Sequence, residues 1–170
     1  MSFGSIVVLV LFAFVAVTIF KGVRIVPQGY KWIVQRLGKY HTTLNPGLNF
    51  VIPYIDEVAY KVTTKDIVLD IPSQEVISRD NAVLMMNAVA YINLTTPEKA
   101  VYGIENYTWA IQNLVQTSLR SIVGEMDLDD ALSSRDHIKA KLKAAISDDI
   151  SDWGITLKTV EIQDIQPSST

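Results

Sequence analysis

The chain has 170 residues, 49% of them apolar and 19% charged, with a net charge of −3; that suffices for one ordinary domain or two small ones and excludes both a disordered tail and a polytopic membrane protein. Cysteine is absent, which excludes disulfides, thiolate metal sites, thiol catalysis and S-palmitoylation. Residues 21–65 carry seven Lys/Arg against Asp56 and Glu57, whereas residues 66–170 carry eight against sixteen acids; a basic part near the N-terminus suits an anionic lipid surface, and the even scatter of the acids leaves no nucleic-acid footprint.

Phe3 to Phe20 is 18 residues without a charge, a proline or an amide. As a helix it covers about 27 Å, close to the hydrocarbon core of a bilayer. No basic residue precedes it, and the sequence Thr18-Ile19-Phe20-Lys21-Gly22 offers no small-x-small cleavage site. The expectation is an uncleaved single-pass anchor over residues 3–20, in preference to a signal peptide or a buried core helix. Lys21, Arg24, Lys31, Arg36 and Lys39 follow at once, so the positive-inside rule places the C-terminal domain in the cytoplasm.

Beyond the anchor the texture changes to short strands and turns. Tyr30 to Leu37 reads as a strand ended by Gly38, Asn45-Pro46-Gly47 as a turn, and Leu48 to Ile52 as a short strand stopped by Pro53. Val58 to Val62 and Ile67 to Ile71 read as further strands, the second ended by Pro72. A hairpin then runs from Val76 to Ser78 through the turn Arg79-Asp80-Asn81 into the longest strand, Val83 to Leu94, whose even positions are all apolar. One face of that strand is therefore buried and the other partly wet.

At Thr96-Pro97 the period changes from two to 3.6. Thr96 is placed to cap a helix with Pro97 at its first position. A long helix is predicted over about Tyr107 to Met126, with Ile111, Leu114, Val115, Leu119, Ile122, Val123 and Met126 on one stripe. Asp127 to Leu132 reads as a link, and Ser133 with Asp136 as a capping-box-like start. The next helix runs to about Asp152 with Ile138, Leu142, Ala145 and Ile146 inward, and Gly154 stops it. Ile155 to Ile165 returns to strand, with a parity shift that predicts a bulge near Thr159. The fold class is α+β: a membrane-proximal β-rich part over residues 21–95 and a distal α/β part over residues 96–166.

No catalytic constellation stands out. His41 and His137 are far apart in sequence and in no metal-ligand spacing. Asp127, Asp129 and Asp130 lack the glycine and distal glutamate of a calcium loop. Ser133, Ser134 and Lys139 lack a nucleophile turn, so a membrane-bound serine hydrolase is a weak alternative. No phosphate-binding glycine loop is present. No cofactor, metal or nucleic-acid partner is expected. Tyr30, Trp32, Tyr40 and Tyr54 lie among the basic residues, as amphipathic aromatics do at a lipid interface; some of them serve equally well as sheet-core residues. The candidate lipid interface is Lys21, Arg24, Trp32 and Tyr54.

Val26-Pro27-Gln28-Gly29-Tyr30, Arg36-Leu37-Gly38-Lys39-Tyr40, Leu44-Asn45-Pro46-Gly47-Leu48 and Ile52-Pro53-Tyr54-Ile55-Asp56 resemble the opening strands of the stomatin/prohibitin (band 7, SPFH) family. Asp70 through Asn81 is similar to a segment of its bacterial stomatin-like (paraslipin, QmcA-type) branch, and Trp153-Gly154-Ile155 with Val160-Glu161-Ile162 to its C-terminal signature. The resemblance implies a non-enzymatic homo-oligomeric scaffold in the bacterial inner (plasma) membrane, packed side by side into a ring that organises membrane microdomains. It implies membrane lipids as partners, with a membrane protease or an NfeD-type partner membrane protein as a client. A stoichiometric adaptor of one membrane protease is the alternative. Family members usually continue past Asp164-Ile165-Gln166-Pro167 into a charged coiled coil, so a C-terminal coiled coil is expected to be missing here.

Overall fold

The computed structural model describes residues 2–168; the chain divides into two compact units that meet at Thr64 and Lys65. In the first unit, helix α1 (Phe3–Gly22) leads directly into strand β1 (Val23–Val26). Four strands follow: β2 (Tyr30–Arg36), β3 (Lys39–Leu44), β4 (Gly47–Phe50) and β5 (Asp56–Thr63). β1 and β4 form an antiparallel two-stranded ribbon, and β3-β2-β5 form an antiparallel sheet. Val26, Val34 and Leu44 are buried together, with Trp32, Val51 and Val58 packed against them. The ribbon is thus sealed to the sheet through one face.

Two of these strands escape sequence reading. β1 is four residues long and abuts the anchor, so its alternation has little length in which to show. β3 is polar, Lys-Tyr-His-Thr-Thr-Leu, and carries no apolar face; His41 lies within it. β2 and β3 are joined by Leu37 and Gly38, both at positive φ (51° and 82°), as a two-residue hairpin of the type matched to strand twist requires.

The second unit contains β6 (Ile67–Ile77), β7 (Val83–Leu94) and β8 (Ile155–Pro167) in an antiparallel sheet of order β6-β7-β8. Between β7 and β8 come α2 (Pro97–Gly103), α3 (Tyr107–Gly124), α4 (Leu128–Ser133) and α5 (Arg135–Ser151). Leu84, Met86, Ala88, Ala90, Ile92 and Leu94 are buried, as the alternation predicts. Ile111, Val115, Leu119, Ile122 and Val123 of α3 and Ile138, Leu142, Ile146 and Ile150 of α5 are buried as well, with α3 packed on β6 and α5 on β8. β6 pairs with β7 and β7 with β8, so β6 and β7 belong to the same compact unit as the helices, and that unit begins at Lys65.

Several local expectations are corrected. Pro72 does not end a strand: the ladder with β7 resumes at Gln74, leaving Pro72 and Ser73 as a bulge inside β6, where a residue without an N–H is tolerated. The segment read as a link after Met126 contains α4. Ser133 does not open the next helix; its hydroxyl donates to the Asp129 carbonyl at 2.7 Å, and the N-cap position of α5 is Ser134. Ala145 is exposed, and Ile150 takes the inward place one turn on from Ile146. β8 has two bulges, at Lys158 and at Gln163; the first adjoins the predicted Thr159. The carbonyls of these two residues accept from Lys143 Nζ (3.3 Å) and Arg135 Nη1 (3.2 Å) of α5. Bulges and basic side chains together blunt the outer edge of the sheet.

Candidate membrane-facing site

α1 is the one helix among the described residues long and apolar enough to cross a membrane, and none of its best window is buried within the protein. Its 20 residues span about 30 Å. Its C-terminal end is tied down. Val51 N–H donates to the Gly22 carbonyl at 2.8 Å, and a Cβ on Gly22 would lie 2.7 Å from the Val51 carbonyl oxygen. Only glycine permits that approach. The anchor's end is therefore fastened to the chain leaving β4.

The ribbon has two chemically different faces. Register places Val23 opposite Phe50 and Ile25 opposite Leu48, so these four side chains share one face. Ile25, Leu48 and Phe50 are 70%, 62% and 70% exposed. Arg24 and Val26 project to the other side, where Val26 is buried. Beyond β4 the turn at Pro53-Tyr54 continues the exposed apolar surface through Ile52 and Tyr54. Tyr54 has φ 75°, a left-handed conformation that costs a non-glycine residue about 1–2 kcal/mol. The turn is braced by Asp56, whose N–H donates to the Ile52 carbonyl (3.0 Å) and whose carboxylate accepts from Ile52 N–H (2.9 Å). The same carboxylate accepts from Arg36 Nε (2.7 Å) and Nη2 (3.1 Å). Arg36 first, and then the Ile52 amide, hold the Asp56 carboxyl at about 2, well below its ordinary 3.8.

The residues predicted for a lipid interface fall into two pairs. Lys21 Nζ lies 5.7 Å from the centre of the Tyr54 ring at the foot of the anchor. Trp32, half-buried, stands directly opposite Lys61 across β2 and β5, and Lys61 Nζ lies 4.4 Å from its ring centre. Arg24 shares with Trp32 and Lys61 a shallow cleft of about 520 Å³, completed by Val51, Asp56, Glu57 and Val58. Phe3 and Phe20, the ends of the predicted anchor, are both strongly exposed on α1. Sequence reading missed the ribbon face and Lys61. The available signal for the face was the alternation Val23-Arg24-Ile25-Val26 and Leu48-Asn49-Phe50; nothing local marks Lys61, which is placed by register.

The other candidate residues have structural employment. Asp127 pairs with Arg79, and Asp129 and Asp130 occupy the first turn of α4, where acids suit the positive end of the helix. Lys139 pairs with Glu161, and His41 and His137 are exposed. No group of three His, Cys, Asp or Glu residues among the described residues is arranged to hold a metal ion.

Residues 24–170 match the profile of the SPFH domain / Band 7 family. An uncharacterized protein of Mycobacterium tuberculosis is 38% identical over 160 residues, 94% of this chain and 42% of its own length. An uncharacterized protein of Methanocaldococcus jannaschii is 41% identical over 149 residues, 88% of this chain and 74% of its own. The human protein named stomatin-like protein 2, mitochondrial, is 38% identical over 143 residues, 84% of this chain and 40% of its own. The chain thus spans about two fifths of the mycobacterial and human relatives.

Proposed function

Because the chain belongs to the SPFH domain / Band 7 family, we propose that it is a non-enzymatic, membrane-anchored scaffold of the stomatin-like type. It works as a homo-oligomer, a ring of side-by-side copies that organises membrane microdomains and regulates membrane proteins, a membrane protease or an NfeD-type protein among them. It resides in the bacterial inner membrane as a single-pass protein with its C-terminal domain in the cytoplasm. The observation that carries the membrane part is the apolar face of β1 and β4, set directly after α1, on which Ile25, Leu48 and Phe50 are left open to their surroundings. Exposed apolar surface of this kind marks a protein or membrane contact, and a face fastened to the end of a spanning helix lies beside lipid. Tyr54 and Lys21 flank it as interfacial anchors do. The scaffold part rests on family membership and on avidity: one anchor gives placement, and many anchors with weak lateral contacts give persistence.

Two measurements test the reading on the full chain in native membranes. A photo-crosslinking residue at Phe50 is expected to give lipid adducts; their absence overturns the membrane-facing assignment. Amine-reactive crosslinking is expected to give a ladder of large homo-oligomers. A defined heterodimer in place of the ladder would replace the scaffold with a stoichiometric adaptor.

A further inference from the structure

The cleft between the ribbon and the β3-β2-β5 sheet holds two cations without a carboxylate partner among the described residues. Arg24 has a single hydrogen bond there, to the neighbouring Val23 carbonyl at 3.4 Å. Lys61 has only the face of Trp32, at 4.4 Å. Asp56 lines the same cleft, but its two oxygens are taken by Arg36 and the Ile52 amide. Glu57 stands exposed at the rim. The cleft is therefore lined by a guanidinium fork and a ring-pinned ammonium, with the nearest buried acid already neutralised. A guanidinium matches two oxygens of one phosphate, and an ammonium adds a point charge to a third contact.

Its depth decides what phosphate it meets. Arg24 is two residues beyond Gly22, the last residue of a helix about as long as the hydrocarbon core is thick. Arg24 also lies on the face of β1 opposite Ile25. With the apolar face at the acyl boundary, the opposite face of a one-strand-thick ribbon comes level with the lipid phosphates.

We propose that Arg24 and Lys61, the latter held in place by Trp32, clamp the phosphate diester of a glycerophospholipid headgroup in this cleft. The clamp rests on the membrane-facing reading of the ribbon and adds to it a discrete lipid site. It differs from a diffuse attraction between basic residues and an anionic surface, which any Lys or Arg of this unit would serve equally.

Native mass spectrometry of the full chain tests this, with the protein extracted in a mild non-ionic detergent containing phosphatidylglycerol and the phosphate-free diacylglycerol. Selective retention of phosphatidylglycerol is expected. Arg24→Gln and Lys61→Gln should each reduce it about tenfold, the order that one charge-assisted hydrogen bond contributes. Lys61→Arg, which keeps the charge and the ring contact, should retain it. Lys39→Gln removes an exposed charge of the same unit outside the cleft and should leave retention unchanged. Equal loss in Lys39→Gln, or equal retention of diacylglycerol, overturns the clamp. Soluble glycerophosphoglycerol separates the sources: the lipid is expected to persist in its presence, and displacement at equal concentration would overturn the glycerophospholipid as ligand in favour of a soluble phosphodiester. Failure here with lipid adducts still formed at Phe50 removes the clamp alone; failure of both removes the membrane-facing reading.

Discussion

Asp56 shows how much one residue organises in the first unit. It closes the β2–β5 register against Arg36 and also fixes the turn that presents Tyr54. Its side chain is 3% exposed while that of Arg36 is 35% exposed, so its removal costs the paired hydrogen bonds and the Ile52 brace, with water partly replacing them at Arg36. Folding lowers its pKa from 3.8 to about 2, so the carboxylate contributes stability above about pH 4 that is lost as pH falls through about 2. Asp56→Asn is expected to lower the thermal midpoint at neutral pH by about 4–8 °C. It should also flatten the fall in midpoint between pH 4 and pH 2; thermal unfolding of the full chain in non-ionic detergent reads both. An unchanged acid limb in the variant would mean that other carboxylates set the pH dependence. Leu37 makes the opposite case. It is 82% exposed and sits at φ 51°, so its backbone is strained and its side chain gains nothing within the unit. Leu37→Gly should raise stability by about 1 kcal/mol. A loss in its place would show that the leucine packs on something outside its own unit.

At the scale of elements, the turn Ser78–Ala82 is a fastening. Arg79 makes a bidentate pair with Asp127, and its N–H donates to the Met126 carbonyl at 2.8 Å. Asp80 accepts from Leu128 N–H at 3.2 Å and from the Ser78 hydroxyl. α4 is thus capped by a residue from a distant hairpin, while its own Asp127 makes no capping bond. Asp80→Ala should speed amide exchange at Leu128 and the rest of α4's first turn about tenfold and leave β7 protected; uniform loss of protection would mean a global defect. Gly154 has the same tightness at the other end of the unit. At φ 69°, a Cβ there would lie 2.5 Å from the Thr96 carbonyl oxygen and 2.9 Å from Lys99 Cβ. Gly154→Ala should destabilise the second unit by about 2–4 kcal/mol in urea unfolding. A cost below about 1 kcal/mol would show that α2 yields freely.

Strong periods over enough residues make α3, α5 and β7 legible in the sequence. What escapes is whatever register or long-range pairing decides. The bulge at Pro72-Ser73 is invisible because a proline after an apolar run reads as a stop. α4 is too short to show a period, and its cap lies 48 positions away. Lys61 meets Trp32 only because β5 pairs with β2. The basic and aromatic residues near the anchor are readable as a set, but not their division into a Lys21–Tyr54 pair and an Arg24–Trp32–Lys61 cleft.

At the scale of the whole molecule, the basic residues that follow α1 bear on which side of the membrane the strand-rich chain occupies. Lys21, Arg24, Lys31, Arg36 and Lys39 follow the helix closely. Only Arg36 among these is ion-paired to an acid within the described residues, so the other four keep their charge available to oppose translocation. A phosphatase that is active only outside the cytoplasm, fused after Thr170, is therefore expected to stay silent. Adding lysines after Met1 while changing Lys21, Lys31 and Lys39 to Gln should turn a measurable share of chains over and switch the phosphatase on. Arg24 and Arg36 remain in that variant, so the headgroup cleft and the Asp56 brace are untouched and the readout reports orientation alone. Phosphatase activity in the unaltered chain would place both units on the outer face and remove every cytoplasmic client from the proposal.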